Sequence, residues 1–185
     1  MRRAAGVEFV FGYGSLVPGA GGEVRRLAGV RRVLGVAMDN ALDVPGYKRF
    51  VDAADGSRPA VFVAFADLVP APAGAPPVNG VLVPVAADGL AALDARERNY
   101  DRIDVTGRIE APPGRVWAYT GSRAGRQRFA RGAAAGTVVV ARAYVEAVQA
   151  GFRALGAAEH RAFLASTDFG GVPVWALERV DLPPA

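Results

Sequence analysis

The chain has 185 residues and is about half hydrophobic, so it can bury a core without metals or crosslinks, and global disorder is excluded. It contains no cysteine, which excludes disulfides, thiolate nucleophiles and cysteine-based zinc or iron–sulfur sites. The formal net charge is +4, carried almost wholly by arginine, with Lys48 the single lysine; this reads as coding bias rather than a nucleic-acid surface, although a modest positive excess favours an anionic small substrate.

Residues 7–13, VEFVFGY, read as a strand that runs into a glycine turn. A second β-rich stretch covers 30–43. The clearest strands are 58–69 and 78–85, β-branched and aromatic runs bounded by turn residues, with the loop PAPAGAPP (70–77) between them. A short helix is predicted after Asp88, with Leu90, Leu93 and Glu97 spaced i, i+3, i+7. Strands follow at 102–110 and 114–122, the latter with Trp117 and Tyr119 expected in the core. Residues 122–132, SRAGRQRFARG, read as a basic loop. Its Arg123, Arg126, Arg128 and Arg131 are either a solvated charge run or guards at a site mouth. The stretch from Gly136 predicts a strand that becomes a helix near Ala141 and ends at Gly156. A last helix covers AAEHRAFLAS, and VPVWALERV returns as a strand. Strands with helices inserted late and unevenly predict an α+β fold, a mixed sheet or small barrel with helices against it. No apolar run is long enough for a spanning helix or an export signal, so a cytoplasmic location with no membrane partner is expected.

The stretch FVFGYGSLVPG (9–19) carries the chemistry question. A dinucleotide fingerprint needs a third glycine where Val17 stands, and Pro18 follows instead of a helix. No Gly-Lys-Ser/Thr exists for a phosphate loop. A nucleophile elbow needs glycines where Tyr13 and Val17 flank Ser15. The single histidine, His160, lies in an alanine-rich amphipathic stretch and reads as structural, so neither a Ser–His pair nor a histidine metal site is expected. What remains is either a plain tight turn or a strand end whose glycines bring backbone amides close to an anionic ligand.

YGSL after an apolar strand, joined to LDARERNYDR near mid-chain, resembles the γ-glutamylcyclotransferase-like (AIG2-like) superfamily. VNGVLVPV before the helix and YVEAVQAGFRALG after the basic segment fall where that family has similar elements. The resemblance covers most of residues 8–165, so one domain over 1–185 is expected, with a core of about 7–165 and a C-terminal extension, 166–185. It implies a small mixed β-barrel with flanking helices. It also implies cleavage of γ-glutamyl amides by internal cyclisation, which releases 5-oxoproline and an amine and uses no cofactor or metal. By residue match, Tyr13, Gly14, Ser15 and Leu16 hold the γ-glutamyl head, Glu97 is catalytic, and Tyr144 contacts substrate. Arg98 stands where the family often has glycine, and no Pro-Ser precedes the helix bearing Tyr144.

Cyclisation needs a base for the attacking α-amine and an acid for the leaving amine. One carboxyl can serve as both in turn, best with a pKa raised by burial toward about 6–7. Backbone amides of the glycine turn suit either the developing oxyanion or the substrate's α-carboxylate. Intramolecular attack supplies much of the rate advantage, so few protein groups are needed. Glu97 can alternatively be a surface charge paired with Arg96 or Arg98, and Asp94 reads as a cap or an arginine partner. Tyr100 and Arg102 either support the site from behind or simply pack. Rival readings are a non-catalytic binding module on the same fold and a basic barrel that binds nucleic acid; neither a lysine-rich groove nor a paired aromatic signature supports the latter.

Overall fold

The computed structural model describes residues 8–19, 21–111 and 113–184; Val7, in the first predicted strand, lies outside them. The chain runs β1 (Glu8–Gly12), β2 (Glu23–Leu27), β3 (Val30–Asp39), β4 (Lys48–Asp52), β5 (Phe62–Pro70), β6 (Val78–Val85), α1 (Ala87–Arg96), β7 (Tyr100–Asp104), β8 (Arg115–Gly121), α2 (Arg123–Ala134), β9 (Val138–Ala141), α3 (Arg142–Ala154), α4 (Ala157–Ala165), β10 (Thr167–Asp168), β11 (Val174–Trp175) and β12 (Leu177–Asp181). One five-stranded sheet has the order β2-β6-β1-β8-β7, a second has β10-β3-β5-β9-β11, and β12 pairs with β4 in a ribbon.

The strands β1 and β5 organise the two sheets. Each has an antiparallel neighbour on one side, β6 or β3, and a parallel one on the other, β8 or β9. Strands covered on both faces read as continuous apolar runs, which is the pattern of FVF and FVAFADLV. Phe11, Leu82 and Val116 of one sheet pack with Val30, Ala66 and Leu68 of the other in a shared cluster. The result is the expected mixed α/β architecture, a curled half-barrel with helices against it.

The segment expected as a basic loop is instead the helix α2. Ser122 caps it, its hydroxyl accepting from Gly125 N–H at 3.1 Å. Gly125 and Gly132 interrupt the apolar periodicity, and they do so because the helix lies tight on the sheet. A Cβ at Gly125 would stand 2.6 Å from the Asn99 carbonyl oxygen, and one at Gly132 would stand 2.6 Å from the Phe62 ring. Three of its four arginines make structural contacts, and none of the four lines a cavity of the candidate site. Arg126 pairs with the fully buried Asp67 (Nε to Oδ2, 2.8 Å), Arg128 donates to the Ala37 carbonyl, and Arg131 lies over the Phe62 ring. Ser122→Ala is expected to lower unfolding stability by about 1 kcal/mol, read by urea denaturation, because a helix donor loses its acceptor.

The strand expected over 102–110 stops at Asp104. That carboxylate accepts from both the N–H and the hydroxyl of Thr106 and starts a short 3-10 turn, Thr106–Arg108. Three strands had no sequence signal, β2, β4 and the two-residue β10. β2 is a polar edge strand, and among the described residues β4 pairs only with the C-terminal β12. Residues 167–181 add β10 to β3, β11 to β9 and β12 to β4. Among the described residues, no helix is long and apolar enough to cross a membrane.

Candidate active site

β1 ends at Gly12 and the chain turns at once. Val17 N–H donates to the Gly14 carbonyl at 3.0 Å and closes the turn. Among the described residues, the N–H groups of Ser15 and Leu16 inside it have no protein acceptor. Neither Gly12 nor Gly14 takes a left-handed backbone. Closeness requires glycine at position 12, where a Cβ would stand 2.8 Å from Leu16 Cβ; at Gly14 a Cβ would meet Tyr144 Oη at 3.4 Å, an ordinary contact. Gly12→Ala is expected to cost about 1–3 kcal/mol in thermal unfolding by forcing Leu16 outward.

Behind the turn lies Arg32, fully buried. Its Nε donates to the Tyr13 carbonyl at 2.7 Å, Nη1 to Thr167 Oγ1 at 2.5 Å and Nη2 to the Asn79 carbonyl at 2.5 Å. The guanidinium carbon lies 4.8 and 4.7 Å from the centroids of the Phe152 and Phe163 rings, which stack on each other at 4.5 Å. Burial lowers its pKa to about 9, so it remains a cation at neutral pH. The Tyr13 carbonyl is thus held toward the interior, and the Tyr13 hydroxyl is anchored on the Tyr119 carbonyl at 2.6 Å.

Glu97 is the C-cap of α1. Its N–H donates to the Leu93 carbonyl, and its carbonyl accepts from Tyr100 N–H at 2.9 Å, closing a turn. Asn99 locks that turn: its amide donates to Tyr47 Oη at 3.1 Å, and its oxygen accepts from Arg128 at 2.7 Å. The Glu97 side chain is 16% exposed, and its Oε1 accepts from Arg96 Nε at 3.0 Å. Pairing with Arg96 therefore exists, whereas Arg98 donates to the Ala95 carbonyl instead.

Glu97 stands where two cavities adjoin. A recess of about 30 Å³ is lined by Tyr13, Gly14, Ser15, Leu16, Ala66, Glu97, Tyr100, Tyr119 and Tyr144. A cleft of about 580 Å³ shares Ser15, Glu97, Tyr100 and Tyr144 with it and continues to β4 and β12. Two tyrosines are clamped on Ala66 of β5: Tyr100 Oη donates to its carbonyl at 2.6 Å, and Tyr144 Oη accepts from its N–H at 3.0 Å. Burial raises Tyr144 to about 12 and also holds Tyr100 well above the ordinary phenol value, with the Glu97 charge acting the same way, so both are neutral phenols.

Arg102 lines neither cavity. It pairs with Asp94 at 3.4 Å and lies over the Trp117 ring. Asp94 in turn accepts from Tyr119 Oη at 2.8 Å, so Arg102 reaches the recess only through Tyr119. His160 also lines neither cavity.

The profile of the family described as gamma-glutamyl cyclotransferase, AIG2-like, matches residues 10–136. The chain belongs to that family. A solved structure titled gamma-glutamyl cyclotransferase shares its fold, with a TM-score of 0.51 and 14% sequence identity over 90% of this chain and 93% of that one. No curated protein matches the chain. The family match includes the glycine turn and Glu97 but ends before Tyr144 and before β12, which walls the cleft.

Three features of this family member had no sequence signal as site residues. Tyr119, expected only to pack, lines the recess. Lys48 and Tyr47 line the cleft. Strand alternation puts Tyr119 on the same face as Trp117, which made core packing the simplest expectation. Lys48 was visible only as the single lysine of an arginine-rich chain.

Proposed function

We propose that the protein cleaves γ-glutamyl amides by internal cyclisation. The neutral α-amine of the γ-glutamyl group attacks its own γ-carbonyl carbon. The new carbon–nitrogen bond closes a five-membered ring as the old amide bond breaks. Glu97 takes the proton shed by the attacking nitrogen and returns it to the leaving nitrogen, so one carboxyl serves as base and then acid. Products are 5-oxoproline and a free amine. The amides of Ser15 and Leu16 bind the anionic part of the glutamyl head, and Tyr13, Tyr144 and Tyr100 shape its recess.

One arrangement carries the reading: a mostly buried carboxyl sharing a small recess with unpartnered turn amides. Arg96 supports it by holding one carboxyl oxygen, which leaves the other without a protein donor among the described residues. Arg102 is a positioning residue in this reading, steadying Asp94 and through it the Tyr119 hydroxyl. The whole chain acts as one domain, with the C-terminal strands completing the cleft. Incubation with a panel of γ-glutamyl amides tests this: equimolar 5-oxoproline and amine are expected. Thermal stabilisation by those compounds with no product would identify a binding module instead.

A further inference from the structure

The reaction proposed above leaves Lys48 without a task. This single lysine opens β4, opposite Asp181 of β12. Its ammonium lies over the Phe65 ring at 4.3 Å and the Tyr47 ring at 5.1 Å. Among the described residues it has no carboxylate within ion-pair distance. The two carboxylates of the cleft are engaged elsewhere, Glu97 with Arg96 and Asp181 with Arg179. Cations lining the cleft (Lys48, Arg96, Arg98 and Arg179) outnumber those two carboxylates by four to two. The first turn of α3 has no side-chain cap, and its Ala143 lines the same cleft, which adds the positive end of a helix. Phe50, Leu177 and Leu182 make the wall apolar.

We propose that Lys48 determines specificity for the leaving half of the substrate: its ammonium receives a carboxylate carried by the departing amine, whose apolar part lies against β12. The proposal rests on the γ-glutamyl reading and adds which amines leave. A carboxylate here gives the ammonium the counter-ion it lacks, whereas a cationic amine meets a cluster of positive charge. β12, which supplies Leu177, Arg179 and Asp181, lies outside the family-matched residues, whereas Lys48 on β4 lies inside them, so the subsite joins a family-matched strand to a C-terminal one.

The charge of Lys48 is tunable. Burial lowers its pKa to about 8, with Arg179 and Arg96 acting the same way and Glu97 and Asp181 opposing. Tyr47 and Tyr144, which face the same cleft, are held up near 12 and stay neutral, as does Tyr100. Arg98 faces the same cleft. The ammonium therefore discharges in the free enzyme as pH rises through about 8, and preference for a carboxylate-bearing amine falls with it.

The test compares kcat/KM for γ-glutamyl-alanine and γ-glutamyl-alaninamide, which differ only in the leaving carboxylate. Wild type is expected to prefer the acid by about tenfold or more, with that ratio declining above pH 8. Lys48→Met is expected to abolish the preference by raising KM for the acid alone, with amide turnover confirming an intact fold. Lys48→Arg is expected to restore the preference and remove its decline above pH 8. Equal use of acid and amide by wild type, or a preference that survives Lys48→Met, overturns the subsite and leaves the γ-glutamyl reading standing. Turnover of neither compound overturns the γ-glutamyl reading; the subsite is then judged by whether N-acetylalanine shields Lys48 from acylation. Shielding supports it, and unhindered labelling overturns it.

Discussion

Glu97→Gln is expected to reduce 5-oxoproline release by roughly a thousandfold or more while leaving thermal unfolding unchanged. Positioned proton transfer contributes about 10²–10⁴ in rate, and here one group performs it twice. Glutamine keeps the volume and can still accept from Arg96 Nε, so the turn held by Asn99 has no reason to move. The variant is expected to bind γ-glutamyl compounds as wild type does, because the turn amides and the tyrosines are untouched. Glu97→Asp keeps the proton chemistry but withdraws the carboxyl by one methylene, so an intermediate rate is expected. Full activity of Glu97→Gln would show that the proton travels by another route.

Arg32→Met is expected to destabilise the fold by about 3–5 kcal/mol and to weaken substrate binding in whatever folds. The substitution fills much of the volume beside the stacked Phe152 and Phe163 rings. It leaves the Tyr13 carbonyl, the Asn79 carbonyl and the Thr167 hydroxyl without the donor they share. Each buried acceptor left unpaired costs about 1–3 kcal/mol. Arg32→Lys retains the charge but not the fork, so it recovers only part of the loss. The site consequence separates this from a generic core defect. With the Tyr13 carbonyl released, the Ser15 and Leu16 amides lose their direction, and KM is expected to rise more than kcat falls. Thermal denaturation and steady-state kinetics on Arg32→Lys measure both.

Much of the fold was legible because its central strands advertise themselves. Val78–Val85 coincides with the predicted 78–85, and β5 lies within the predicted 58–69 to one residue. What escaped the sequence depends on distant partners. β4 exists because β12 pairs with it from the far end of the chain, and β2 is an edge whose charges mask its alternation. α2 hid behind Gly125 and Gly132, which look like loop punctuation until the sheet beneath them is seen.

The candidate site divides the same way. Tyr13–Leu16 and Glu97 stand in contiguous motifs, and the recess brings them together with Tyr144 and Tyr100. Arg32, Tyr119 and Lys48 sit on other strands, where only folding makes them neighbours of those motifs. Composition cannot separate a buried arginine that holds a carbonyl from the many that coat a surface.

Internal attack by the substrate's own amine, relayed through Glu97, is the central claim. Running the reaction in oxygen-18 water and analysing the products by mass spectrometry tests it most directly. The account predicts unlabelled 5-oxoproline in equal amount to the free amine, since no water enters the bond-breaking step. Glutamate labelled in its γ-carboxyl would contradict it, because that product requires water, not the α-amine, as the nucleophile.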